Sequence, residues 1–590
     1  MAAIRTLLCA LLAAPAAWAG PLEIPLRVPL EAVEKALAAQ LPASPNAIYR
    51  EGPCRFLNLD APAISAAAGE LRLATPGSAA LGAEFFGRCR NVADWQGTMH
   101  VRLVPWIDGA GRLRLRILDS RLADSRGRKG VPMVWQLAKR QVHPHLENFS
   151  YDIGASRNTL LSVLRGAAPA GQAAAFEQVL ASLQVLQPRV EAKHVVVPVA
   201  INLPDAWLAS GAGASAPSLP AVPLTDAELD ALDKTLQPWD AFLSYVIKHA
   251  ARDSDPELRQ RLFTLLLDSR YQLAAVLAGE ATTSGDPVRA LFIDVWGELR
   301  SILADARYSL FVDAGDALLA LDRAAPALGA TISADGLRQL ARSFDPAASG
   351  DPLAYDWAVD PDLGRLFDVQ EPPRSELPPE RSWLDFFIAS AFAAEQQPLD
   401  RWVPTREQLA VYEPRIGALL RKAAATELER VALDAPYDQM YRAMVPTTAL
   451  IESCWRQYVT RSGKVSYLRS QSGSIGIMQI NQVVWRGFYD VQRLRWDTAY
   501  NVRAGAQILM RYTKDYAIPY ASKSGDPNHV PRAAYAVYNA GPRAVGRFTR
   551  NPPHPREQRV DEHLWTLYEG IAAGGQADLR TCGVSTVSAQ

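Results

Sequence analysis

Between Met99 and Ile117 apolar and polar side chains trade places residue by residue. Val101 and Leu103 alternate with charged neighbours, Asp108-Gly109 interrupts, and Leu113, Leu115 and Ile117 resume the alternation, which predicts a β-hairpin with one apolar face. Upstream, LEAVEKALAAQL spaces its apolar residues at three and four and predicts an amphipathic helix. HVVVPVAINL reads as a further strand, with Pro198 arguing for an edge or a bulge. Residues 20–208 are therefore expected to form an α+β domain with an antiparallel sheet, its role unassigned.

The pattern then changes twice. ASGAGASAPSLPAVPLT is small and Pro-rich, so 209–224 is expected to be a linker. From Thr225 and Asp226, which suit a helix start, helical periodicity runs on without a strand pattern; Leu262, Leu265 and Leu266 illustrate it. A central all-α domain over 225–435 follows, with VQEPPRSELPPERS as an internal break and REQLAVYEPRIGALLRKAAATELERVAL as its last run. Residues 436–590 form the final, mainly helical segment. Three domains suit a chain of 590 residues, which exceeds what one core can serve.

Composition changes this picture in two places. The opening MAAIRTLLCALLAAPAAWAG has a cation at Arg5, an apolar run from Leu7 and small residues at Ala17 and Ala19, as a secretory signal peptide with cleavage after Ala19. Leu8 before Cys9 argues against lipidation there, and the run is short for a bilayer span. No later stretch is apolar enough to cross a membrane, so export to the periplasm is expected. Export leaves Cys54, Cys89, Cys454 and Cys582, an even number suited to disulfides; pairing within segments suggests Cys54–Cys89 and Cys454–Cys582. No C-x-x-C or H-E-x-x-H is present, and the histidines of VHPH, His143 and His145, suit a turn better than a ligand pair, so neither metal nor cofactor is expected.

Charge is the second. Lys+Arg and Asp+Glu balance at 62 each, which gives no nucleic-acid character. Between Met440 and Arg550, however, 16 cations face 5 acids, a cationic module suited to a polyanionic polymer or to an ordinary solvated face.

That module carries the chemistry. With Pro446 read as a first-turn residue, TTALIESCWRQYV is a helix that sets Glu452 behind Ala449, Leu450 and Ile451. A carboxyl on such a face loses hydration and keeps its proton to higher pH. Ser470-x-x-Gly473-x-x-Gly476-Ile477-Met478-Gln479 follows, its glycines permitting a tight loop and its glutamine offering amide hydrogen bonds to sugars. DTAYNVRAGAQILMRY is a helix, and PRAAYAVYNAGPRAV another, starting at Pro531, capped by Gly541 and stopped by Pro542. Trp485, Phe488, Tyr489, Trp496 and Tyr535 are candidate sugar platforms, although large aromatics more often fill cores.

In order, E-S, S-x-x-G-x-x-G-I-M-Q, A-Y-N-V-x-x-G and Y-N-A-G-P resemble the catalytic domain of soluble lytic transglycosylases, over roughly Tyr437 to Arg550. The resemblance implies a goose-lysozyme-like fold acting on peptidoglycan glycan strands, with Glu452 as the single acid and base. It also implies sugar subsites at Ser470, Gly473, Met478, Gln479 and Asn539, and Tyr538 hydrogen-bonded to the glutamate. Two departures stand out: eighteen positions separate Glu452 from Ser470 where the family has about eight, so TRSGKVSYLR is an inserted loop, and Asn481-Gln482 replaces a frequent Met-Pro. The MQIN form is closer to transglycosylases that serve conjugation or secretion machines. A lysozyme-type hydrolase using the same glutamate, and a wall-binding scaffold with a vestigial module, remain the alternatives. The N-terminal domain is left as the surface for a cell-envelope protein partner.

Overall fold

The computed structural model describes residues 21–41, 48–124, 132–168, 171–208, 226–278, 287–303, 305–324, 333–345, 349–354, 358–373, 398–575, 577 and 579–580. The expected leader, the linker, most of the VQEPPRSELPPERS break and Cys582 lie outside these residues. Antiparallel sheets occupy the N-terminal region, the middle is helical, and the C-terminal region is mainly helical. Among the described residues no helix is long and apolar enough to cross a membrane.

The chain divides into two compact units, one of 1–214 with 303–348, the other of 215–302 with 349–590. The helical stretch expected as one domain is therefore shared between them. In the first unit the helix Ser309–Ala324 packs on the strand Leu22–Pro29, where Arg27 donates to Asp313 through both its backbone and its guanidinium at 2.5 Å.

The first unit holds two antiparallel sheets. The smaller places His194–Ile201 between Leu22–Pro29 on one side and Gln184–Val185 and Arg189–Val190 on the other. Pro198 thus sits on a central strand, not on the expected edge. It pairs with Pro25, and its carbonyl accepts from Leu186, so its missing donor faces the gap between the two short strands and breaks no bond to Leu22–Pro29. The larger sheet is built on Glu70–Phe85, Arg88–Ile107 and Arg112–Asp124. The expected hairpin is its second turn, where Asp108 accepts from the backbone of Ala110 and Arg112. The Cys54–Cys89 disulfide is formed, with Cα atoms 5.3 Å apart. His143 and His145 lie in the helix Pro132–Glu147, not in a turn; Pro144 stands in its last turn, and His143 bonds Ser120 at 3.0 Å.

In the second unit, the helices Asp226–Arg252 and Pro256–Leu277 pack together and against the C-terminal elements. Arg270, 1% exposed, is held by Asp240 and Ser244 and donates to the carbonyls of Val484 and Arg486. Tyr271 donates to the Tyr538 carbonyl at 3.0 Å and lies against Gly541. A Cβ at residue 541 would stand 2.8 Å from that ring, so the glycine admits the helix.

Candidate active site

The helix bearing Glu452 runs from Tyr437 to Ser453. It starts well before Pro446, which lies inside it, and the Trp455 indole donates to the Pro446 carbonyl at 2.9 Å. Cys454 and Trp455, at φ 52° and 58°, turn the chain left-handed and end the helix directly after the glutamate. Glu452 therefore occupies a last turn, where the negative end of the helix dipole disfavours a carboxylate.

Burial raises the Glu452 carboxyl to about 7, while a hydrogen bond from Tyr535 and the charge of Arg547 oppose that rise. The Tyr535 hydroxyl donates to Glu452 Oε1 at 2.9 Å. Burial also holds the Tyr535 phenol well above its ordinary range, so it remains a donor. The phenol on the glutamate is thus Tyr535, which the sequence offered only as a sugar platform. Tyr538, expected in that role, instead donates to the Met478 carbonyl at 2.6 Å. Both lie in the helix His529–Ala540, three residues apart on one face.

Ser453 joins this helix to the glycine loop, donating to the Ile477 carbonyl at 2.6 Å. Two buried amides hold the same loop. Gln457 accepts from Ile477 N at 2.8 Å and donates to the carbonyls of Leu494 and Arg495. Asn501, of the A-Y-N-V motif, accepts from Met478 N at 2.9 Å and donates to the carbonyls of Ile475 and Leu494 at 3.0 Å. Gly476 stands at φ +75°, and a Cβ there would lie 2.4 Å from Asn501 Nδ2 and Gln457 Oε1. The motif glycine is required both by the turn and by the two amides.

Met478 is fully buried, so its side chain does not line an open subsite. It fills the space left by Gly505, where a Cβ would approach Met478 Cγ to 2.4 Å. Gln479 is half-buried at φ 45° and donates from Nε2 to the Gly476 carbonyl at 2.7 Å. Ser470 Oγ accepts from Ser474 N at 3.0 Å and lies 2.9 Å from Ser472 Oγ, which shapes the turn containing Gly473 at φ +83°. Asn539 is exposed and accepts from Arg547 at 2.7 Å, and Arg547 also pairs with buried Asp561 at 3.0 Å. This makes Asn539 the tether of a buried cation.

TRSGKVSYLR is a small hairpin of Tyr458–Arg461 and Lys464–Tyr467. Trp485, Phe488, Tyr489 and Tyr535 are buried; Trp496 is partly exposed and stacks with Tyr458. A cavity of about 210 Å³, lined in part by Arg430, Gln507 and Arg511, does not include Glu452 and is a separate feature.

None of the four acids between Glu452 and Tyr538 is a second acid at this carboxyl. Asp490 and Asp497 cap helices, Asp515 pairs with Arg511, and Asp526 accepts from Asn528 N. One protonated carboxyl, one phenol donor and a glycine loop fixed by amides can give a proton to an oxygen and take one back.

Residues 439–560 match the family model described as Transglycosylase SLT domain, so the resemblance carried by the four motifs holds for the C-terminal part of the chain. That family acts on peptidoglycan. No curated protein and no solved structure matches the chain.

Proposed function

We propose that the chain is a peptidoglycan lytic transglycosylase that cleaves the β-1,4 bond between N-acetylmuramic acid and N-acetylglucosamine without water. The observation that carries the reading is Glu452, raised to about 7 by burial and held by the Tyr535 hydroxyl, with no second acid among those between it and Tyr538. A carboxyl poised near ambient pH can serve as acid and then as base.

Protonated Glu452 donates to the glycosidic oxygen, the C1–O bond breaks, and the N-acetylglucosamine 4-hydroxyl leaves. The substrate's acetamide supports the positive charge at C1. The Glu452 carboxylate, stabilised by the Tyr535 donor, then removes the C6 hydroxyl proton of the same muramyl residue. O6 closes onto C1 as a 1,6-anhydro ring, and the glutamate regains its proton. Ordinary glycosidases place a second carboxylate to activate water or to attack C1. The present arrangement needs neither.

A peptidoglycan substrate supports an extracytoplasmic site of action, and with the leader expected at 1–19 the proposed location is the periplasm. Mass spectrometry of purified sacculi digested with the protein tests the reading. Anhydromuramyl ends, lighter by one water than reducing ends, are expected; reducing ends alone would make the protein a lysozyme-type hydrolase, and an inert protein would favour a scaffold.

A further inference from the structure

The longest hairpin of the first unit, Glu70–Phe85 with Arg88–Ile107, ends in a two-residue turn at Phe86-Gly87. Both turn residues have positive φ, 51° and 71°. Such turns favour Asn-Gly, since a bulky side chain rarely adopts the left-handed region. Here a phenylalanine does so and is completely exposed, with Phe85 56% exposed beside it. Val92, 77% exposed, is the extra residue of a bulge, since Asn91 pairs with Gly82 and Ala93 with Leu81. The apex thus presents two phenylalanines to solvent, with Val92 exposed four positions past Arg88 on the returning strand, while the Cys54–Cys89 disulfide fastens that strand to the neighbouring segment.

The register sorts the charges. Phe85 pairs with Arg88 and Ala83 with Arg90, so these four share one face, while Glu84 pairs with Cys89 on the other. No ion pair to Arg88 or Arg90 occurs among the described residues. One face therefore combines an aromatic tip with two arginines whose stems can lie along it.

We infer that this hairpin tip inserts into the interfacial region of a membrane containing anionic lipid, with Phe85 and Phe86 entering the acyl boundary and Arg88 and Arg90 meeting the headgroups. The shape favours lipid over protein. A convex apex with two phenylalanines offers roughly 300–500 Å², below the roughly 800 Å² per partner of a stable protein interface. Interfacial insertion needs only an apolar apex and cationic flanks. This assignment is independent of the reaction proposed for the second unit.

Co-sedimentation tests it, using the chain from Gly20 onward, which retains every described element. Phosphatidylcholine vesicles with and without about a third phosphatidylglycerol serve as the probe. The unaltered protein is expected to pellet with the anionic vesicles. Phe86→Asn, which suits the turn and leaves thermal unfolding intact, is expected to lower the partition coefficient about tenfold. Arg88→Ser with Arg90→Ser should lower it by a similar factor and remove the preference for anionic lipid. Absence of vesicle binding, or undiminished binding by the Phe86 variant, overturns the inference. If the variant instead loses binding to isolated sacculi alone, the tip belongs to the wall polymer.

Discussion

Replacing Glu452 by glutamine should make the protein more stable as it makes it inactive, and the gain should depend on pH. In the folded chain burial lifts this carboxyl from 4.5 to about 7. Between those values the folded state holds a proton that the unfolded state releases, so stability is fully present below 4.5 and falls as pH rises to about 7. Glu452 keeps part of its surface accessible to water, so this rise corresponds to at most about 3 kcal/mol, at about 1.4 kcal/mol per pH unit. Glutamine cannot ionise, keeps an oxygen to accept from Tyr535, and vacates no volume. Relative to wild type, Glu452→Gln should therefore gain about 1–3 kcal/mol at pH 8 over its difference at pH 4. Urea titrations of the two proteins at both pH values measure this, following the transition of the second unit. Sacculus digestion by the variant should fall by at least about 10²-fold to 10⁴-fold. An equal stability difference at pH 4 and pH 8 would mean that the carboxyl is not in a water-poor site and that Glu452 holds no proton near neutral pH to give.

Tyr535→Phe removes the donor that holds Glu452 down, so its pKa should rise further; the alkaline limb of the rate profile should move up and the rate should fall about tenfold or more. An unmoved limb would refute the contact. Tyr538→Phe should leave that limb in place and destabilise by about 1–3 kcal/mol, since it strips the buried Met478 carbonyl of its donor. Gly476→Ala should cost at least about 2 kcal/mol, from the left-handed φ and the two amides it would strike. Thermal unfolding close to wild type would show that the loop is not fixed as described.

How much of this was legible beforehand depended on range. The Asp108 hairpin could be read because alternation and turn chemistry are local. The E-S and Y-N-A-G-P motifs could be read because each is a short contiguous run, and their order along the chain agrees with the family match at 439–560. Tyr535 and Tyr538 could not be told apart, since residues three apart share a helical face and only packing decides which reaches the carboxyl. Met478 looked like a subsite residue because its seat, Gly505, lies 27 positions away. The helices of 225–435 read as one domain because an amphipathic face does not say which core it covers. Ser309–Ala324 covers the smaller sheet of the first unit, whereas Pro256–Leu277 packs under the C-terminal motifs.

Arg270 gives the family match a practical limit. Its guanidinium serves the Val484 and Arg486 carbonyls from more than two hundred positions upstream, and Tyr271 does the same beneath Tyr538. An expression fragment trimmed to 439–560 would leave those buried acceptors bare and open a ring-sized hole beside Gly541. The compact unit that holds the matched segment is discontinuous in sequence, and an excised version that keeps these contacts carries the helices of 226–277 with it.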